Sequence, residues 1–228
     1  MSNEKEKQLV AKEAVKLVTE GMIVGIGSGS TAAIFIEELK KHVYNKNLKI
    51  ACIATSLASK SLIEKAIPLI DESLQSQIDI TFDGADRLDP KTLHLIKGGG
   101  GALLREKLVA KSSKENVVLV DSSKLSSPLE GFPLAIEIVK FGYAATIARI
   151  EHLGYKGVLR KKENRPAESD NGNYIFDITF NEGIKNPLKD HNILKNTLGV
   201  IETGFFLDTA TKAYVAYPNG KIEILEKP

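Results

Sequence analysis

Four short stretches of this 228-residue chain concentrate side chains able to move protons or hold an anion. In "TFDGADRLD", Asp83, Asp86 and Asp89 follow an apolar run; in "IKGGGGALLREK", Lys97 precedes four consecutive glycines, Gly98 to Gly101, and Glu106 follows in an apolar segment. "GIGSGST" supplies the hydroxyls of Ser28, Ser30 and Thr31 around Gly29, and "DSSK" ends in Lys124. Carboxylates at such positions bind a divalent metal or act as acid and base. Glycine-rich loops with hydroxyls and a lysine suit a phosphate at a helix N-terminus. Each stretch also has a plainer reading. The aspartates are common turn residues, Ser28 or Ser30 simply caps a helix, and the glycines form a flexible connection.

The spacing narrows the choice. Asp83 and Asp86 are three apart, which counts against the DxD pair of a metal-dependent haloacid-dehalogenase-type phosphatase. Glycines at 25, 27 and 29 miss the GxGxxG dinucleotide fingerprint, the next strand ends in Thr55 and Ser56 where an acidic ribose ligand belongs, and no GK[ST] follows for a Walker A loop. On a helical wheel starting at Ala102, Glu106 falls near about 40°, between Val109 and Ala110, inside an apolar stripe. A carboxylate so placed is expected to have a raised pKa and to be a better base near neutrality. Together the inventory fits cofactor-free acid–base work on a small phosphorylated polyol.

The elements that must position these residues read as alternating strands and helices. An amphipathic helix over residues 5–20 precedes strand "MIVGIG"; "SGSTAAIFIEELKKHV" is a loop turning into a helix, "LKIACIAT" a strand, "SLASKSLIEKA" a helix, and "IDITFDG" and "NVVLVD" further strands. That alternation predicts a doubly wound, mostly parallel Rossmann-like α/β sheet, with ligands beyond the carboxyl ends of the strands. "SSKLSSPLEGFP" marks a domain boundary. Beyond it "LAIEIV", a helix from about Tyr143, "KGVLR", "NYIFDITF", a helix from about Pro187 and "VIETGFFLD" predict a smaller α+β, ferredoxin-like domain. The expected division is 1–130 with 208–228, and 131–207; the "PNG" hairpin of the tail returns to the first domain.

Composition closes off other classes. Lysine and arginine total 31 against 29 acidic residues, a net charge of +2 that gives no general attraction to nucleic acid or an anionic membrane. The charged N-terminus lacks a signal-peptide core, and no apolar run reaches the roughly 18 residues of a membrane span, so a cytoplasmic protein is expected. Cys52 is the single cysteine, in an apparent core strand, and the histidines at 42, 94, 152 and 191 are scattered, which gives zinc no support.

"GSGST", "DGAD", "KGGGGALLREK" and "DSSK", in this order, with "FPLAIEI" and "DNGN" downstream, closely resemble the A-type ribose-5-phosphate isomerase family over nearly the whole chain. The resemblance implies reversible interconversion of ribose 5-phosphate and ribulose 5-phosphate by a multi-subunit enzyme, a homodimer or dimer of dimers, with no metal and no organic cofactor. It makes Glu106 the base that carries a proton between C2 and C1 and Asp83 the acid–base group for ring opening and hydroxyl proton transfer. Asp86 and Lys97 complete the catalytic set. Gly84, Ala85 and Gly98, Gly99 and Gly100 match the substrate loops; Ser28, Gly29, Ser30, Thr31, Lys124 and Lys7 match the residues that grip sugar and phosphate. Two positions depart from the family pattern: Arg87 stands where an acidic residue is usual and Leu104 where a polar one is common. A sugar-phosphate-sensing domain without turnover is the alternative from another class; signatures of coenzyme A transferases or aminosugar-phosphate deaminases are not found.

Overall fold

In a computed structural model, residues 3–73, 77–180 and 183–227 are described. In chain order the main elements are α1 (Glu4–Ala14), β1 (Ile23–Ile26), α2 (Gly29–Lys46), β2 (Ala51–Ala54), α3 (Leu57–Ile63), β3 (Ile78–Asp83), β4 (Arg87–Leu88), β5 (Leu95–Ile96), α4 (Leu103–Lys111) and β6 (Ser113–Asp121). Then follow β7 (Leu134–Ile138), α5 (Tyr143–His152), β8 (Gly157–Leu159), β9 (Lys161–Lys162), β10 (Arg165–Pro166), β11 (Tyr174–Ile178), α6 (Pro187–Lys195), β12 (Val200–Thr203), β13 (Phe205–Phe206), β14 (Lys212–Ala216) and β15 (Ile222–Glu226). They form two compact units: Met1–Ala85 with Arg105–Leu125 and Asp208–Pro228, and Asp86–Leu104 with Ser126–Leu207. Compared with a boundary drawn at residue 130, the segment 86–104 goes with the second unit, because β5 pairs there with β4 and β13.

The first unit is built on a six-stranded sheet in the order β15-β14-β6-β3-β1-β2, parallel throughout except for the edge strand β15. Its inner strands are covered on both faces, which is why β6 carries the unbroken apolar run Val117–Val120; β3 alternates apolar and polar residues, yet only Asp79 of its six is not buried. On one face Val10, Ala11 and Ala14 of α1, Phe35, Ile36 and Leu39 of α2 and Ile63 of α3 bury against Val24, Ile26, Ile80 and Phe82, with the Phe35 and Phe82 rings stacked at 4.4 Å. On the other, Val109 of α4 packs with Ile53 and Ile78. The expected first helix stops at Ala14, where Val15–Leu17 tighten into a 3₁₀ turn. Asn47 closes α2 in the left-handed conformation at φ 52°.

The second unit has a four-stranded antiparallel sheet in the order β12-β7-β11-β8. With α5 and α6 inserted after its first and third strands, this is the ferredoxin-like 4-1-3-2 arrangement that the downstream pattern predicts. Ile150 of α5 and Leu194 of α6 bury against Ile136, Ile138, Phe176 and Ile178. A β9–β10 hairpin and the small sheet β13-β5-β4 complete the unit. Gly204 divides "VIETGFFLD" between the two larger pieces, sending Phe205 and Phe206 to pair with Ile96 and Leu95.

Candidate active site

In the first unit the strand order reverses between β1 and β3, and at such a point the loops leaving the carboxyl ends diverge and open a crevice. Asp83 is the last residue of β3, and its Oδ1 accepts the N–H groups of Ser28 (3.1 Å) and Gly84 (2.8 Å). The neighbouring strand end comes equally close. Gly27 donates its N–H to the Phe82 carbonyl at 2.9 Å, and a β-carbon on Gly27 would stand 1.9 Å from Asp83 Oδ1. The glycine is therefore what leaves room for the carboxylate.

Ser28 occupies the N-cap of α2, yet its hydroxyl makes no cap bond; it lies 2.8 Å from the buried Thr55 hydroxyl at the end of β2. The first turn of α2 thus keeps its N–H groups without a side-chain cap, at the end of a helix whose dipole favours an anion. Ser59 donates to the Gly27 carbonyl at 2.6 Å from below, and Lys7 reaches from α1 to Ser30 Oγ at 2.9 Å. The Thr31 side chain lies beside Gly84. The structure so brings Lys7, Ser28, Ser30, Thr31, Asp83 and Gly84 together, with Gly29 opening the helix between them.

Lys124 ends the short 3₁₀ turn Ser122–Lys124 after β6. That turn is tied to the start of α1 through the buried Asp121, whose Oδ1 accepts Asn3 Nδ2 at 2.6 Å, the Ser123 N–H at 3.1 Å and the Ser123 hydroxyl. Burial pushes the Asp121 carboxyl up, but the bonds from Ser123 and Asn3 and the Lys124 charge outweigh it and hold the group below the usual carboxylate range.

Glu106 is only 5% exposed, flanked by the buried Ala102, Leu103, Val109 and Ala110, as the wheel predicts. Its helix is fixed to the sheet through Val109: a β-carbon on Gly25 would lie 2.0 Å from Thr81 Oγ1 and 2.8 Å from Val109 Cγ1. Ser113 completes the anchor, with its hydroxyl 2.6 Å from Thr81 Oγ1 and donating to the Val109 carbonyl at 2.7 Å.

In the second unit Asp86 donates its N–H to the Ile96 carbonyl, and its Oδ2 accepts the Gly99 N–H at 2.8 Å. Lys97 is 5% exposed, with its N–H on the Gly204 carbonyl and its ammonium 5.5 Å from the centroid of Phe206. Lysine and glutamate are almost never this buried unless paired. Gly98 takes φ 103°, and a β-carbon on it would lie 2.7 Å from Ala135 Cβ, so the loop lies against β7 as a side chain would not allow. Gly99 and Gly100 are exposed, and Ala85, which closes the first unit's "DGA", is half-buried.

Two features lay beyond the sequence reading. Arg160 donates from Nη1 to the carbonyls of Gly98 (2.9 Å) and Gly99 (3.0 Å) while its other nitrogens grip Asp177 at 2.6 and 2.8 Å. Arg87, the departure from the family pattern, donates to the carbonyls of Asp86, Glu130 and Gly131, each at 2.8 Å, and so ties down the 130–131 turn. Asp89 proves a turn residue, its Oδ1 taking the Lys91 N–H at 3.0 Å. Among the described residues no cluster of three His, Cys, Asp or Glu side chains is arranged to hold a metal ion.

Parallel α/β architecture with buried carboxylates, a buried lysine and hydroxyl-rich loops at strand ends defines a protein built for acid–base chemistry on a small anionic ligand. The family model of Ribose 5-phosphate isomerase A (phosphoriboisomerase A) matches residues 51–220, and this chain belongs to that family. The chain is 44% identical to ribose-5-phosphate isomerase A of Protochlamydia amoebophila over 97% of its own length and 95% of the relative's, and 45% identical to that of Bacillus mycoides over 94% and 96%. The solved ribose 5-phosphate isomerase A of Methanocaldococcus jannaschii superposes with a TM-score of 0.93 at 40% identity, covering 99% of this chain and 100% of that one. A ribose-5-phosphate isomerase in complex with phospho-erythronic acid superposes at 0.92 with 36% identity over the full length of both. The DeoR C-terminal sensor domain model also matches, over residues 2–70.

Proposed function

We propose that this protein is the isomerase that interconverts D-ribose 5-phosphate and D-ribulose 5-phosphate in the pentose phosphate pathway. Asp83 serves ring opening: the proton of the anomeric hydroxyl leaves as the ring oxygen gains one. Glu106 then removes the proton from C2, the electron pair passes into the C1 carbonyl to give an enediolate, and Glu106 returns the proton to C1 while the O2 hydroxyl proton moves to O1. A proton beside a carbonyl is too weakly acidic for a carboxylate unless the developing oxyanion is stabilised; the Lys97 ammonium and the peptides of Gly98 to Gly100 supply that, with Asp86 holding the loop. Ser28, Gly29, Ser30, Thr31, Lys124 and Lys7 hold the phosphate and sugar hydroxyls, with Gly84 and Ala85 lining the sugar.

The observation that carries the reading is the burial of Glu106 on a helix locked to the sheet beside the strand that ends in Asp83. The reaction needs no metal, no organic cofactor, no nucleic acid and no membrane, and we place the enzyme in the cytoplasm; no described helix is long and apolar enough to cross a membrane. The first unit carries Asp83, Glu106 and the phosphate-gripping residues, and the second carries Asp86, Lys97 and the glycine loop. The second makes the contacts of a homodimer or dimer of dimers, a role supported by Phe141, 94% exposed, and the exposed Leu198 and Val158.

EDTA-treated protein is expected to convert ribose 5-phosphate to the ketose, and Glu106→Gln to lower kcat by about a thousandfold without unfolding. A Glu106→Gln kcat within tenfold of the parent removes that residue as the base. The match of residues 2–70 to a sensor domain favours one other reading, a sugar-phosphate sensor; that segment holds Lys7 and the 28–31 loop but none of Asp83, Asp86, Lys97 or Glu106. Tight ribose 5-phosphate binding without turnover in the parent would establish it instead.

A further inference from the structure

We propose that Arg160, braced by Asp177, is a positioning residue that sets the polarity of the glycine loop, so that the Gly100 N–H faces the substrate as a donor. The inference rests on the isomerase reading above. Arg160 comes from the end of β8 and Asp177 from β11, and their planar pairing through Nε and Nη2 is the two-point geometry that fixes a guanidinium most firmly. Both side chains are mostly buried, at 21% and 16% exposure, so the pair is shielded from the competition that weakens surface ion pairs.

The remaining nitrogen, Nη1, takes two consecutive loop carbonyls. In a planar trans peptide the carbonyl and the next N–H point in opposite directions. Holding the Gly98 carbonyl therefore turns the Gly99 N–H away from Arg160, where Asp86 Oδ2 accepts it. Holding the Gly99 carbonyl turns the Gly100 N–H away likewise, on an exposed stretch where a β-carbon on Gly100 would meet nothing within 4 Å. Four glycines in a row flip their peptides at little steric cost. A flipped 99–100 peptide would set a carbonyl oxygen against a developing enediolate oxygen, and Arg160 occupies the side that prevents it.

The test is steady-state kinetics on ribose 5-phosphate for the parent, Arg160→Ala, Arg160→Lys and Asp177→Asn, with thermal denaturation alongside and millimolar guanidinium added to Arg160→Ala. A donor needed chiefly in the transition state is lost from kcat rather than KM. We expect kcat to fall 10- to 100-fold in Arg160→Ala, less in Arg160→Lys and Asp177→Asn, with KM within threefold, and guanidinium to restore part of the loss. Parent-like kcat in folded Arg160→Ala, or a loss that guanidinium does not relieve, overturns the proposal. Should Arg160→Ala fail to fold, Arg160→Lys decides: the same split between kcat and KM supports positioning, and kcat within twofold of the parent overturns it. An inactive parent enzyme instead defeats the isomerase reading, and this inference with it.

Discussion

At Gly27 a single added methyl group would have to share space with the Asp83 carboxylate, 1.9 Å away. Gly27→Ala is expected to lower kcat at least tenfold and to cost about 1–3 kcal/mol of stability, read by activity and urea denaturation, because the carboxylate or the strand end must move. Gly100→Ala makes the contrast. Nothing lies within 4 Å of its added carbon, so its melting temperature should match the parent's while KM rises as the methyl group meets the sugar. Asp121 gives a dependence on acid. Its folded pKa lies below the ordinary value, so its contribution is fully present above about pH 4, the unfolded value, and is lost as pH falls through the folded one. Urea denaturation should show Asp121→Asn less stable than the parent by about 1 kcal/mol at pH 7, with the difference shrinking at pH 3. Of these residues the sequence displays Asp83 and Glu106 openly, one by its place after an apolar run and the other by its phase on a helix. Gly27 looks like one more loop glycine, since its reason is a carboxylate that only strand pairing brings near.

The helix that carries Glu106 depends on how closely it can approach the sheet. Gly25→Ala would press on Thr81 and Val109 together, and is expected to cost about 2 kcal/mol and to lower kcat by moving Glu106, one turn upstream; unchanged kcat in the folded variant would show that α4 tolerates the shift. Elements of the first unit were readable because strands buried on both faces are uninterrupted apolar runs, as "NVVLVD" is, and because helices alternate with them. The ferredoxin-like pattern downstream was readable for a different reason: two helical stretches sit at fixed places among alternating strands. The support of the glycine loop was not. Arg160 is remote from Gly98 in sequence, and it arrives there through the register Phe176↔Leu159 between β11 and β8, which no local pattern encodes. Arg87 stood out as a departure from the family, but its use as a clamp on two distant carbonyls could be seen only once the 130–131 turn was in place.

For the molecule as a whole, the single thiol reports on integrity. Cys52 lies in β2 with no exposed surface, and burial pushes its pKa up to about 12, so the thiolate is scarce at neutral pH. A thiol reagent should leave the native protein unlabelled over minutes and modify it fully in denaturant, and rapid labelling of the native state would reveal local opening of β2. The order of the strands bears on how such a chain is made. The polypeptide passes between its two units at 85/86, 104/105, 125/126 and 207/208, and β14, made only after the last of these, is the parallel neighbour of β6. A nascent chain must therefore carry β6, Ser113–Asp121, with one bare edge through the synthesis of the second unit's larger piece, Ser126–Leu207. Bare edges of this kind recruit other chains, so protein ended at Leu207 should appear in the insoluble fraction while the full chain stays in solution. The ribosome, in effect, must work through most of another unit before the first sheet it began can be closed.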